Sequence, residues 1–191
     1  MTIRRRLGRL IAVSAVALAA LGASPAVAGA VSHVPIHHVP IRPPAPPQWI
    51  CAGNAYPVNF VLTAHDPAGC SGLGRWYSQP ATSGTWICQG SHYPTANFVL
   101  TAHSPSNCNG IGAWYMVVPT NNMWVCAGTA LTGGHVTTAY QAGGCNGIGA
   151  WFMTTPSHGM WVCSASPLPP GWTTNQTSPS GCNGLGASRL V

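Results

Sequence analysis

The chain has 191 residues, of which only 4% are charged, and these are seven basic residues and one acidic residue. It also contains eight cysteines. Four of the basic residues stand within the first nine positions, so the rest of the chain keeps only Arg42, Arg75 and Arg189 beside Asp66. A nucleic-acid interface needs clustered Lys and Arg to neutralise phosphates, and three scattered arginines therefore predict no nucleic-acid partner.

The first residues have the layout of a secretory signal peptide. The start is positively charged through Arg4, Arg5, Arg6 and Arg9. An apolar run follows over 10–21, and a small-x-small cleavage signal lies at 26–28. We predict a signal peptide over 1–28, cleaved after Ala28 or Ala30. The alternative is a membrane anchor, but the run is shorter than the ~18 apolar residues that span a bilayer. We expect a secreted protein, extracellular or associated with the cell wall, with no membrane span in the mature chain.

Residues 29–48 are predicted to form a Pro/His-rich tail or linker. Six prolines between positions 31 and 48 favour extended polyproline II and exclude helix. No cysteine or carboxylate completes a metal site beside His33, His37 and His38. We therefore expect a solvated spacer and no bound metal.

From Trp49 onward the sequence repeats with a period of 37 or 38 residues. Each copy begins with W-x-C, continues with a strand-like run and reaches C-[SN]-G-[LI]-G, and the segment CNGIGAW recurs unchanged at 108–114 and 145–151. A fixed period of this size indicates a repeat architecture. The four predicted repeats are 49–85, 86–123, 124–160 and 161–191.

The repeats are predicted to be all-β, with about three short strands in each. Glycine and proline are too frequent for long helices. In the run NFVLTAH (59–65), strand alternation would place Phe60, Leu62 and Ala64 on one face. The opposite face would then carry Asn59, Val61, Thr63 and His65.

The C-[SN]-G-[LI]-G segment is predicted to be a tight corner. Its two glycines allow backbone angles that other residues avoid. The apolar residue between the glycines is expected to fill a small core in every copy. These residues are Leu73, Ile111, Ile148 and Leu185.

Eight cysteines in an exported chain predict disulfides, since no C-x₂-C pair suggests zinc. Pairing within copies gives Cys51–Cys70, Cys88–Cys108, Cys126–Cys145 and Cys163–Cys182. Pairing between copies gives Cys70–Cys88, Cys108–Cys126, Cys145–Cys163 and Cys51–Cys182. We favour pairing within copies, because it leaves four complete units and needs no closure over the whole chain. Each loop would contribute about 3 kcal/mol through the unfolded state.

Between copies, the chain has the pattern strand, proline-led turn, strand, as in WYMVVPTNNMWVC (114–126). We expect the last strand of each copy to form a hairpin with the first strand of the next. The strands left over, 48–53 and 187–191, are then expected to pair and close a pseudo-four-fold ring, because a free sheet edge invites association. An open array would leave both exposed.

The catalytic residue inventory is poor. One carboxylate excludes a two-carboxylate mechanism, and Asp66 directly follows His65 in a predicted turn. No nucleophile elbow or Gly-rich phosphate loop is present, and paired cysteines would leave no thiol. We predict no enzyme activity, no catalytic residues and no cofactor. His65 and His103 occupy equivalent positions and could bind a metal, but Tyr140 and Thr177 replace them in the other copies, which favours polar strand ends at the surface.

Aromatic residues are the remaining functional signal. Four tryptophans lie two residues before a cysteine and are predicted to pack on disulfides in the core: Trp49, Trp86, Trp124 and Trp161. A second set follows the corner as adjacent aromatic pairs, and one member of each pair must face outward. These candidate ligand-stacking residues are Trp76, Tyr77, Trp114, Tyr115, Trp151 and Phe152.

Neutral hydroxyl and amide side chains surround these aromatics, and such a surface suits sugar rings. We therefore predict a secreted, non-catalytic protein that binds a polysaccharide or another cell-wall polymer. One alternative is a structural, disulfide-rich envelope protein without a small ligand. Another is a protein-partner or inhibitor module, since RWYSQ (75–79) resembles, in a different order, the Trp-Arg-Tyr stretch of small exported bacterial amylase inhibitors. The ligand and the oligomeric state are left open.

Overall fold

A computed structural model describes residues 45–191, so the predicted signal peptide and residues 29–44 of the predicted tail lie outside the described residues. The described chain is all-β, as predicted, and forms four three-stranded antiparallel sheets. Copy one contains β1 (Gln48–Cys51), β2 (Phe60–Asp66) and β3 (Arg75–Pro80); copy two contains β4 (Thr85–Cys88), β5 (Val99–Ser104) and β6 (Ala113–Val117). Copy three contains β7 (Met123–Cys126), β8 (Val136–Gln141) and β9 (Ala150–Thr154); copy four contains β10 (Trp161–Cys163), β11 (Thr174–Ser178) and β12 (Ala187–Leu190). Three four-residue helical turns complete the elements: α1 (Gly69–Gly72), α2 (Gly144–Gly147) and α3 (Gly181–Gly184).

Each sheet is built from a single copy, with the third strand in the middle. The strand orders are β1-β3-β2, β4-β6-β5, β7-β9-β8 and β10-β12-β11. The predicted hairpins between copies are therefore wrong. A disulfide explains the difference, because it ties the end of the first strand to the corner that precedes the third strand. In copy one this places Cys51 opposite Arg75, and β1 runs alongside β3.

The expected ring is not seen in the strand pairing. Within residues 45–191, β1 pairs with β3, and β12 pairs with β10 and β11. The two strands that were expected to close the ring are thus each taken up in their own sheet.

All eight cysteines form disulfides within their own copies. The pairs are Cys51–Cys70, Cys88–Cys108, Cys126–Cys145 and Cys163–Cys182. They are the pairs that were predicted for pairing within copies. A repeat of this size buries too little apolar surface for independent stability, so the covalent link supplements each small sheet.

The corner has the same geometry in every copy. In copy three, Cys145 (φ 50°) and Asn146 (φ 59°) take left-handed angles, followed by Gly147 and Gly149. The Gly149 N–H donates to Gly144 O at 2.9 Å, and the Gly149 carbonyl accepts from Ala127 N at 2.9 Å. The corner is therefore bonded to the strand that carries its disulfide partner. The segment CNGIGAW recurs because each copy needs the same left-handed backbone angles at this corner.

The apolar residue inside the corner does not fill a core, contrary to the prediction. Leu73, Ile111, Ile148 and Leu185 are 75%, 38%, 40% and 51% exposed. The left-handed turn places this residue on the outside of the corner, and the buried position nearby belongs to the following glycine or alanine.

A β-bulge breaks the alternation that was predicted for β2. The pairing passes from Leu62–Ser78 to Ala64–Tyr77 and skips Thr63. His65 then pairs with Trp76, two positions from Ser78 on β3, so it shares a face with Leu62 instead of opposing it. The prediction failed because an extra residue shifts the two-residue period by one.

The core lies at the junctions between copies. Val61 of copy one packs with Ile87 and Met116 of copy two. Val99 packs with Val125 and Met153 at the next junction. The last junction buries Val136, Val162 and Leu190 together. Each copy therefore completes the core of its neighbour, as expected for repeat proteins.

The bulge also contacts the next copy. The skipped residues Thr63, Thr101 and Thr138 present their carbonyl oxygens to disulfide sulfurs of the following copy at 3.9, 3.7 and 3.7 Å. These are contacts and not hydrogen bonds, because a disulfide sulfur has no hydrogen to donate. A hydroxyl three residues after the first cysteine adds a bond, as in Ser91 Oγ, which accepts from Leu62 N at 2.9 Å.

Candidate functional site

One tryptophan of each copy lies on the solvent face of its sheet. Trp49, Trp86, Trp124 and Trp161, the outer tryptophans, are between 36% and 43% exposed. The prediction that they pack in the core is wrong. Alternation along W-x-C sends the middle residue inward instead, and Ile87, Val125 and Val162 are at most 1% exposed.

Three outer tryptophans contact an aromatic residue on the middle strand of the same sheet. Ring centroids are 5.4 Å apart for Trp49–Tyr77, 5.2 Å for Trp86–Tyr115 and 5.4 Å for Trp124–Phe152. These pairs are directly opposite in the strand register, where aromatic side chains stabilise a sheet. In copy four, Arg189 is opposite Trp161. Tyr77, Tyr115 and Phe152, predicted as stacking residues, thus share a face with the outer tryptophans.

The other three predicted stacking residues lie on the opposite face. Trp76, Trp114 and Trp151, the inner tryptophans, are half-buried against a ring from the strand beside them. Their centroids lie 4.2 Å from His65, 4.4 Å from His103 and 4.5 Å from Tyr140. Trp114 and Trp151 also pack against buried core residues. The structure therefore separates the two members of each adjacent aromatic pair.

His65 and His103 were predicted to be polar strand ends at the surface, but the structure places both rings in these inner stacks. Both ring nitrogens of His103 and Nδ1 of His65 are buried without a hydrogen-bond partner. Tyr140 occupies the same place in copy three, which fits a packing role in all three copies. Among the described residues, no three His, Cys, Asp or Glu side chains come together around a potential metal site.

Copy one alone adds a charged pair to its solvent face. Arg75 Nε donates to Asp66 Oδ2 at 2.8 Å, and the Arg75 guanidinium lies 4.7 Å from the centre of the Trp49 ring. The hydrogen bond from Arg75, with a second from the Ala68 N–H, holds the pKa of Asp66 below its usual value. The pair is solvent-exposed and contributes little to stability, but it adds a cation to this aromatic face.

A cavity of about 420 Å³, here called the Tyr-Pro cavity, lies at the junction of copies one and two. Residues 54–60 form one side, and His92, Tyr93 and Pro94 form the other. None of these residues was predicted as a site residue. The signal for them was the dipeptide Tyr-Pro at 56–57 and 93–94, which occurs in copies one and two only.

Two tyrosines hold the walls of this cavity in place. The Tyr56 hydroxyl accepts from His92 N at 2.9 Å. Tyr93 packs against the buried core of this junction, and burial raises the pKa of the Tyr93 hydroxyl. A smaller cavity of about 230 Å³ at the last junction is lined by Trp151, Leu131 and Thr137, among others.

The chain matches no protein-family model, no curated protein and no solved structure. Along the part that the structure describes, no helix is long and apolar enough to cross a membrane. The four disulfides leave no free cysteine and are compatible with an oxidising, extracellular location.

Proposed function

We propose that this protein is exported and binds a neutral polysaccharide of the cell exterior, without catalysis, through the outer tryptophans. Export is supported by the secretory pattern of residues 1–28 together with the four disulfides. A wall polymer is the first ligand class because the described surface offers few charges and many hydroxyl and amide groups.

The observation that carries the proposal is one exposed tryptophan at the same strand position in every copy. A core tryptophan would be buried, yet these four keep more than a third of their surface in solvent. Three of them lie beside Tyr77, Tyr115 or Phe152, which enlarges each aromatic patch. The apolar C–H face of a sugar ring stacks on such a patch, and neutral hydroxyls around it accept and donate hydrogen bonds.

Repetition adds to the affinity of each weak patch. A polymer presents the same sugar many times, so a second copy binds at the effective concentration set by the first. We expect affinity for a polymer to exceed affinity for its disaccharide by a factor of about 100 or more.

A depletion assay tests the proposal. The oxidised mature protein is incubated with insoluble chitin, cellulose or purified peptidoglycan, and the protein that remains in solution is measured with and without a competing soluble sugar. We expect depletion by at least one polymer, reversed by the sugar. Trp86→Ala combined with Trp124→Ala should lower the apparent affinity for that polymer at least tenfold. Ile111→Ala combined with Ile148→Ala is the matched control, because these residues are equally exposed but lie on the corner.

Failure to bind any of the three polymers would reject polysaccharide binding. Protein-partner binding is the second candidate, and the exposed apolar residue in each corner favours it. That alternative predicts that the corner variants, not the tryptophan variants, lose the interaction.

A further inference from the structure

We propose that the Tyr-Pro cavity is a separate binding site for a single pyranose sugar unit or disaccharide. This inference rests on the proposed function, because it assumes the same class of ligand. The cavity involves none of the outer tryptophans. The volume of about 420 Å³ lies within the range of roughly 300–1,000 Å³ that is usual for small-molecule sites.

The chemistry of the lining favours a neutral, ring-shaped ligand. Tyr56, Phe60 and Tyr93 supply three aromatic rings. The polar side chains are Asn54, Asn59 and His92, and within residues 45–191 no carboxylate, guanidinium or ammonium group lines the cavity. A phosphate or carboxylate ligand would therefore find no opposite charge, whereas a sugar combines an apolar ring face with neutral donors and acceptors.

The hydroxyl of Tyr56 is positioned to serve such a ligand. It already accepts a hydrogen bond from His92 N, so its own proton remains available for donation to a sugar oxygen. The carboxamides of Asn54 and Asn59 both donate and accept, which matches a hydroxyl or an acetamido group.

The walls are held in place before a ligand arrives. Phe60 is buried at the start of β2, and its N–H bonds to Pro57 O at 3.1 Å. The Tyr56 hydroxyl is hydrogen-bonded to the backbone of copy two, and Tyr93 packs against buried core residues. A site with fixed walls loses little conformational entropy on binding.

The test blocks the cavity by a substitution at a residue that is not part of the core. Val58 lines the cavity and is 88% exposed, so Val58→Trp fills space without removing a core contact. Thr95, which follows Tyr93-Pro94 as Val58 follows Tyr56-Pro57, is exposed and is not part of the lining, so Thr95→Trp is the matched control. Asn54→Ala is a second variant that removes a polar group and little volume.

Isothermal titration calorimetry of the oxidised mature protein with N,N′-diacetylchitobiose and with cellobiose gives the readout. We expect one binding event for at least one disaccharide. Val58→Trp should weaken this binding at least tenfold and Asn54→Ala about three- to tenfold, whereas Thr95→Trp should retain it. Near-ultraviolet circular dichroism confirms that each variant is folded.

The absence of binding by the unmodified protein would overturn the proposal, as would equal affinity in Val58→Trp and Thr95→Trp. The two proposals fail separately. Disaccharide binding without polymer depletion would support the cavity as a sugar site and would reject polymer binding by the outer tryptophans. Polymer depletion without disaccharide binding would support the outer tryptophans and would reject the cavity as a sugar site.

Discussion

Inner and outer tryptophans lie on paired strands, one register position apart, yet their surroundings are opposite. Trp86 pairs with Tyr115 on the solvent face, and the next pair, Ile87 with Trp114, faces the core. Trp114 is covered by His103 and by the core of the first junction, whereas Trp86 keeps 36% of its surface exposed. Tryptophan thus packs against the core on one face of the sheet and remains exposed to solvent on the other.

The largest expected effect tests this contrast through stability. Trp114→Ala should lower the free energy of unfolding by about 3 kcal/mol, because it removes a large side chain from a packed stack and leaves a void. Trp86→Ala should change it by less than about 1 kcal/mol, since its face is open to solvent. Urea denaturation with the disulfides intact measures both. Equal losses would show that the two tryptophans have the same structural role.

A smaller effect is expected at the glycine that closes the inner stack. A Cβ at Gly149 would collide with the ring of Tyr140, which stacks on Trp151. Gly147 has a similar positive φ, but a Cβ there would meet nothing within 4 Å. Gly147→Ala should therefore cost about 1 kcal/mol from backbone strain alone.

Gly149→Ala should cost about 1 kcal/mol more than Gly147→Ala, because overpacking is added to the strain. The difference between their thermal unfolding midpoints checks this. If both variants lose the same stability, the inner stack tolerates the extra methyl group and the second glycine is needed only for its conformation.

The smallest effect concerns alkaline pH. Burial raises the pKa of Tyr93 above its ordinary value near 10, so the unfolded chain loses this proton first as the pH rises. Stability from the neutral hydroxyl is present below pH 10 and is lost as the pH climbs from there toward the folded pKa. Tyr93→Phe should reduce the alkaline loss of stability, measured by urea denaturation between pH 8 and 11.

Tyr115→Phe is the control for that experiment, because Tyr115 lies on the solvent face beside Trp86. If the two variants give the same alkaline profile, the tyrosine at the junction is no more affected by burial than the one on the outer face.

Local patterns carried the predictions that succeeded. The all-β class follows from short runs between frequent glycines and prolines, and the two corner glycines take the positive φ values that their spacing indicated. The pairing within copies also follows from the repeat, because each unit contains two cysteines and a short loop closes easily. The corner residue Ile111 misled the prediction, since an apolar residue was taken as buried when the left-handed turn exposes it.

The candidate sites depended on longer-range information. His65 changed face because Thr63 bulges out of register, and Thr63 bulges where its carbonyl meets the disulfide of the next copy. Sequence alternation cannot reveal such a bulge, because nothing local distinguishes it from a regular strand residue. The Tyr-Pro cavity likewise requires two loops from different copies, which only the packing of one copy on the next brings together.

By itself, the sequence determined the repeat, the all-β class and the glycine corners, because these depend on contacts and backbone angles within a few tens of residues. Only the tertiary structure decided the sheet order, the direction of each tryptophan and the location of the cavity. The physical reason is that each copy is too small to bury its own apolar residues. Its neighbour supplies the missing surface, and that surface determines which side chains remain exposed to solvent.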